Sequence, residues 1–175
     1  MKKKKRLEFI LDDNKYRKLV FRFYPRSSTC HSFNDQPPKS WEEVYKVYYH
    51  YKIVKVWKSD HEQKLMFNSG CDECSIIDEI ANRIKLITEG YTVYKGKTRD
   101  GDEFSIPLLD DECFPFGDGV SWTISKCTAP DKYSIALYDY DNIGYRFTLT
   151  KEKLAEFGQY LESCCEYMLA HGDPI

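Results

Sequence analysis

The strongest constraint on the fold is a pattern of period two. Leu7, Phe9 and Leu11 alternate with Glu8 and Ile10, and Leu19, Phe21 and Phe23 alternate with Val20, Arg22 and Tyr24. Asp12-Asp13-Asn14-Lys15 lie between the two runs as turn formers, and Pro25 ends the second run. Large apolar residues at every second position turn one face of a strand toward a core, so the chain must build sheet, beginning with a hairpin. The signature returns at Ile53-Val54-Lys55-Val56-Trp57, at 64–67, at 91–98 and 103–108, and at 120–127, 133–140 and 145–149. Asp100-Gly101 sits between two of these runs, which is a strong short-range hairpin signal.

Helical periodicity is rarer. Ser40-Trp41-Glu42-Glu43 reads as a capping box opening a helix with Trp41, Val44, Tyr48 and Tyr51 at near-helical spacing. The run 76–89 reads as a second helix. Ser75 caps it, Asp78 and Glu79 fall in its first turn, Ile77, Ile80, Ile84 and Ile87 form a stripe, and Gly90 closes it. Thr150 caps a final helix with Leu154, Phe157, Leu161, Cys164 or Cys165, and Met168 on one face, ended by Gly172 and Pro174. Strict βαβ alternation and internal repeats are absent. The expected fold is therefore α+β: one domain over 1–175, a mostly antiparallel sheet built from hairpins, and about three helices packed on it. A basic tail (1–6) and a long Pro-rich connection (25–39) lie outside that pattern, as does an acidic loop expected at 109–119.

Composition narrows the function classes. With 42% hydrophobic residues, 14 Tyr, 10 Phe and 3 Trp, the chain can fill a core and is not a disordered segment. No apolar run approaches the roughly 20 residues of a membrane-spanning helix. Met1 to Arg6 resembles the start of a secretion signal, but the following Leu7-Glu8-Phe9-Ile10-Leu11-Asp12-Asp13 is too short and too charged to continue one. Seven cysteines, an odd number without regular spacing, suit a reducing compartment, so a cytoplasmic protein with idle thiols is expected.

Catalytic patterns are sparse. Gly-x-Ser-x-Gly and Gly-rich phosphate loops are missing, and Cys30-His31 are sequence neighbours rather than a positioned pair. Asp100-Gly101-Asp102-Glu103 departs from the EF-hand pattern, with Phe104 and Ser105 at its fifth and sixth positions. His50 falls in the first expected helix and His171 in the last turn of the final one, both in structural roles. The sharpest local motif is Cys71-Asp72-Glu73-Cys74, immediately before a helix whose dipole favours thiolate. A strand-like 64–67, a glycine, the Cys-x-x-Cys and a helix together resemble thioredoxin- or glutaredoxin-like proteins over some 25 residues, which implies thiol–disulfide exchange at Cys71 and Cys74. The chain departs from that family further on, where an Asp-Gly hairpin follows and Pro107 ends its second strand. The same pair also supplies half of a tetrahedral zinc site, for which Cys30, His31, His61 or Cys113 would have to complete the ligands.

Charge is segregated along the chain. Residues 1–58 carry 15 Lys+Arg against 6 Asp+Glu, and the rest carry 11 against 22. Such asymmetry concerns partners rather than fold. Lys2 to Arg6, Lys15, Arg17, Lys18, Arg22 and Arg26, with neighbouring Phe and Tyr, have the composition of a phosphate-contacting surface. The acidic stretches Asp100, Asp102, Glu103 and Asp110-Asp111-Glu112, and the interleaved Phe114, Phe116 and Tyr138-Asp139-Tyr140-Asp141, offer aromatic anchors framed by charge. The expectation is a non-enzymatic protein-binding module that needs no cofactor. Through these acidic and aromatic residues it would engage a basic, nucleic-acid-handling protein, in the manner of inhibitors carried by phages and mobile elements, anti-CRISPR proteins among them. The alternatives left open are a thiol-redox or zinc protein using Cys71 and Cys74, and a nucleic-acid-associated protein using the basic N-terminal hairpin.

Overall fold

The structure, a computed structural model, describes residues 7–25, 48–69, 72–116, 120–138 and 144–171; side chains are described for all of these except 25, 48, 72–76, 110–116, 120 and 169–171. Along the chain run β1 (Leu7–Asp13), β2 (Arg17–Pro25), β3 (Tyr48–Trp57), β4 (Gln63–Asn68) and β5 (Asp72–Glu73). Then come α1 (Cys74–Thr88), β6 (Val93–Lys97), β7 (Glu103–Pro107), β8 (Asp110–Phe116), β9 (Val120–Lys126), β10 (Lys132–Tyr138), β11 (Gly144–Thr150) and α2 (Lys151–His171). The first sheet has the order β1-β2-β3-β4 with β5 added beside β3, the second β11-β10-β9-β8, and β6-β7 form a separate two-stranded ribbon. All the pairings are antiparallel. The α+β class built from hairpins is as the alternation predicts.

The first hairpin forms where expected. Asn14 turns it by accepting the Tyr16 and Arg17 N–H groups on its side-chain oxygen, at 3.0 Å each. Phe9 lies opposite Phe21 and Leu7 opposite Phe23, so one face carries the predicted apolar set. The other face has its own small cover. There Arg22, itself buried, donates to Glu8 at 2.8 Å and to Gln63 at 2.7 Å, and Val20, Val54 and Val56 form a small buried cluster.

Helix α2 joins the two sheets. The Thr150 hydroxyl accepts the Lys153 N–H at 3.2 Å as an N-cap, and Leu154, Phe157, Leu161, Cys164, Cys165 and Met168 are all buried. Phe157 is at the centre: its ring lies 5.3 Å from Phe9 and 5.2 Å from Phe21 in the first sheet, and 6.3 Å from Trp122 and 6.1 Å from Phe147 in the second. The sheets are also tied directly, since buried Trp122 Nε1 donates to Tyr51 Oη at 2.9 Å. Helix α1 packs on α2 through Ile77, Ile80, Ile84 and Ile87, all buried. It comes so close that a Cβ on Gly158 would lie 2.7 Å from Ile84 Cγ2. The end of α1 is a Schellman motif: Tyr91 N–H bonds the Leu86 carbonyl, Gly90 N–H bonds that of Ile87, and Gly90 takes φ +93°.

Several expectations are corrected. The described residues hold two helices rather than about three. The capping box at Ser40–Glu43 lies outside the described residues, as do the tail 1–6 and residues 26–39. Tyr48 and Tyr51, expected in that first helix with His50, belong to strand β3, where Tyr49, Tyr51 and Ile53 alternate inward. Helix α1 starts at Cys74, so Asp78 and Glu79 fall beyond its first turn. The stretch 109–119, expected as a loop, contributes strand β8, whose pairing with β9 overrides the acidic and Pro-containing local sequence.

Candidate functional site

Most of the cysteine candidates lie outside the described side chains. Cys74 is the first residue of α1, while Cys71 and the candidate ligands Cys30 and His31 lie outside the described residues. His61 is exposed in the β3–β4 turn, and Cys113 lies in β8. Among the described residues, no group of three or more His, Cys, Asp and Glu side chains is placed to hold a metal ion. Cys164 and Cys165 are fully buried, and burial holds the Cys164 thiol well above the ordinary range, as an inert packing group requires. His50 stacks on Tyr24 at 4.5 Å, and its burial and then Lys52 lower its pKa, which keeps the ring neutral.

The basic hairpin closes on itself. Arg17 pairs with Asp12 at 3.3 Å, Arg22 with Glu8 at 2.8 Å, and Lys58 with Asp13. Lys15, Lys52 and Lys55 sit over the rings of Tyr16, Tyr24 and Trp57. Part of the N-terminal positive charge is thereby partnered by acids and aromatic rings of the first sheet.

The predicted acidic and aromatic residues divide between two places. Asp100, Asp102 and Glu103 lie at the tip of the β6–β7 ribbon. Here the Thr98 carbonyl accepts the Gly101 N–H at 3.0 Å and Gly101 takes φ +89°, a three-residue loop rather than the two-residue turn that Asp-Gly often makes. Lys97 stands 3.9 Å from Glu103, so the acids share the tip with cations. One ribbon face carries Tyr94 opposite Ile106 and Gly96 opposite Phe104; the other carries Lys95, Lys97, Glu103 and Ser105. Phe104 lies on the bare Gly96 backbone, where a Cβ would meet its Cζ at 2.4 Å. Tyr94 and Ile106 nevertheless stay 38% and 37% exposed, with Tyr91 at 57% nearby. Arg83 of α1 holds the base of the ribbon, donating to the Leu108 and Pro107 carbonyls at 3.1 and 2.5 Å.

The second place is one end of the β11-β10-β9-β8 sheet. Tyr138 is half-buried opposite Ser121, and Ser121 is opposite Pro115, which puts the ends of β8 and β10 at the same edge. Asp110, Asp111, Glu112, Phe114 and Phe116 are in β8, and their side chains lie outside the described residues, as do Asp139, Tyr140 and Asp141. The β8 register shifts between Asp110 and Phe114, so Asp111 and Glu112 sit in an irregularity of an outer strand, where bulges commonly re-aim side chains.

A third cluster was not singled out from the sequence. The solvent side of the helix pair exposes Glu79, Glu152, Glu156, Glu162 and Glu166. Burial raises the Asp78 carboxyl, and Glu162 of α2 raises it further across the helix pair. Burial also raises Glu79, which Arg83 opposes and Asp78 reinforces. Like charges held together across an interface cost stability, and such costs concentrate at functional surfaces. Only the docking of α1 on α2 brings Asp78 under the influence of Glu162; the one legible sign was the two i, i+4 pairs of glutamates along the last helix, Glu152 with Glu156 and Glu162 with Glu166.

No helix among the described residues is long and apolar enough to cross a membrane. Compared with protein-family models, curated proteins and solved structures, the chain matches none.

Proposed function

We propose that this chain is a protein-binding module without chemistry of its own, which meets a basic partner through carboxylates on the open side of the α1–α2 pair. The observation that carries the reading is the set of exposed carboxylates on the two packed helices, Glu79 on α1 and Glu152, Glu156, Glu162 and Glu166 on α2. A partner's Lys or Arg residues are drawn to such a set of like charges, which gives register and association rate. The basic surface of a nucleic-acid-handling protein is the partner this chemistry suits, and an inhibitor of the anti-CRISPR kind, carried by a phage or mobile element, is the role. The acidic strand residues Asp110, Asp111 and Glu112 and the segment Tyr138-Asp139-Tyr140-Asp141 are further contacts that this reading assigns to the same partner.

Affinity capture from the native host tests it. The retained partner is a basic protein, and its retention falls steeply between about 50 and about 200 mM salt, because exposed charge pairs are screened over that range. Retention that ignores salt, and equally ignores reversal of Asp110, Asp111 and Glu112, overturns the acidic-surface reading.

A further inference from the structure

One end of the first sheet carries rings and cations that neither the core nor the acidic helices use. The β1–β2 and β3–β4 turns are tied together there. Lys58 N–H donates to the Tyr16 carbonyl at 2.9 Å, Lys58 Nζ pairs with Asp13, and Trp57 N–H donates to the Glu62 carbonyl at 2.9 Å. On this frame Tyr16 is 69% and Trp57 37% exposed. Two large rings thus stand in water on backbone that is already held, which reduces the ordering cost of docking.

The strand register puts cations on the same face as Trp57. Trp57 lies opposite Arg17, and Lys55, two residues before it on β3, lies opposite Lys64. Lys55 Nζ is 5.7 Å from the centre of the Trp57 ring, and Lys15 Nζ is 5.7 Å from that of Tyr16. A lysine over a ring keeps its full charge. Lys15, Lys55 and Lys64 form no ion pair among the described residues. The neighbouring acids are mostly engaged. Asp12 holds Arg17 at 3.3 Å, Asp13 holds Lys58, and Asp60 accepts the Glu62 N–H at 2.9 Å within its own turn. Glu62 is the exposed acid beside Trp57, and the three lysines outweigh it.

Charge therefore calls for an anionic occupant, and the surroundings of the rings say which kind. An acidic protein would need an apolar centre to its interface. The exposed aliphatic residues of this sheet, Ile10 (39%) and Leu65 (54%), fall in the row Ile10–Val20–Val54–Leu65 on the opposite face. Around Trp57 the register sets Arg17, Lys55 and Lys64 instead. Exposed rings with cations directly beside them match a chain of alternating bases and phosphates, whose bases stack on the rings. The bases must be unpaired, because those of a duplex are stacked on one another.

We propose that this end of the first sheet binds single-stranded nucleic acid, with bases stacked on Trp57 and Tyr16 and phosphates drawn to Lys15, Lys55 and Lys64. The contacts are few and read no base edge, so binding is weak and indifferent to sequence, with a dissociation constant on the order of 10⁻⁵ M at low salt. A protein that meets a nucleic-acid-handling partner through its carboxylates gains in this way a second, separate hold on the nucleic acid itself. Binding here is read on the purified chain with no partner present, so it succeeds or fails separately from the acidic-surface reading.

Fluorescence anisotropy of a labelled oligo-dT of about 15 nucleotides tests it, at salt from about 50 to about 200 mM. Three phosphate contacts on a single strand predict that log K falls with log salt at a slope of about −2, and Lys64→Gln makes that slope shallower by about 0.7. Trp57→Ala and Tyr16→Ala, changes at exposed positions, each weaken binding at least about fivefold while the circular dichroism and thermal midpoint stay in place. Trp57→Phe keeps a ring and retains most of the affinity. No binding at about 50 mM salt overturns the proposal, as does binding indifferent to Trp57→Ala. The same oligo-dT annealed to oligo-dA should bind at least about tenfold more weakly; a duplex bound equally well would reduce the surface to charge alone. Displacement of the oligo-dT by polyglutamate at equal charge concentration would reassign this end to an acidic protein and likewise overturn the proposal.

Discussion

Replacing Gly158 with alanine should destabilise the fold, although alanine is the better helix former. In a free helix the change gains about 1 kcal/mol. In this protein the new Cβ would lie 2.7 Å from Ile84 Cγ2 and 3.3 Å from Ile84 Cβ, with the Ala81 carbonyl oxygen at 3.8 Å. A rotation of Ile84 does not remove the contact at its own Cβ, and a β-branched side chain on a helix has one strongly preferred rotamer. The helices must therefore separate, and overpacking of this kind costs about 1–3 kcal/mol. The net expectation is a loss of up to about 2 kcal/mol, a fall of up to roughly 8 °C in thermal midpoint for a chain of this size. Urea and thermal unfolding of the wild type, Gly158→Ala, Ile84→Ala and the double variant give the full cycle. Ile84→Ala alone costs about 2–5 kcal/mol through the cavity it leaves, and the alanine at 158 should recover part of that loss in the double variant. A higher midpoint for Gly158→Ala, or effects that simply add, would refute close packing of α1 on α2 at this point.

Other outcomes follow from the same contacts. Tyr51→Phe strands the buried Trp122 Nε1–H that now donates at 2.9 Å, and should cost about 1–3 kcal/mol in urea unfolding; a change near zero contradicts that bond between the sheets. The Asp78 carboxyl titrates above its ordinary value of 3.8 in the folded chain. Its contribution to stability is therefore fully present below that ordinary pKa and is lost as pH rises through the higher folded value. Glu162→Gln removes one of the two causes, so the decline in unfolding free energy between pH 4 and 7 should become shallower without vanishing. An unaltered slope would mean that the two acids do not sense each other.

Much of this fold is legible in the sequence because its signals are local. The Thr150 cap and the following apolar stripe specify α2, the alternation around Asn14 specifies the first hairpin, and Gly90 marks the end of α1, where a positive φ is required. Tyr48 to Tyr51 misleads because tyrosines three apart suggest a helical face, while the inward alternation of Tyr49, Tyr51 and Ile53 is the pattern that burial selects. The stretch 110–116 reads as loop because acids and proline are poor strand formers, and a neighbouring strand supplies what the local sequence lacks. Of the candidate sites, the β6–β7 hairpin that carries Asp100, Asp102 and Glu103 follows from Asp100-Gly101 and its flanking runs. The influence of Glu162 on Asp78 does not, since it exists only after two helices distant in sequence have docked.

The acidic-surface account is tested most directly by Glu162→Lys, read for stability and partner retention on the same preparation. A lysine at 162 replaces repulsion of Asp78 with attraction, so the thermal midpoint should rise by roughly 1–3 °C. The same charge repels a basic partner, so retention in affinity capture should fall at least about tenfold. Greater stability with lost binding is the predicted result. Greater stability with undiminished binding would place the partner elsewhere on the molecule and contradict the account.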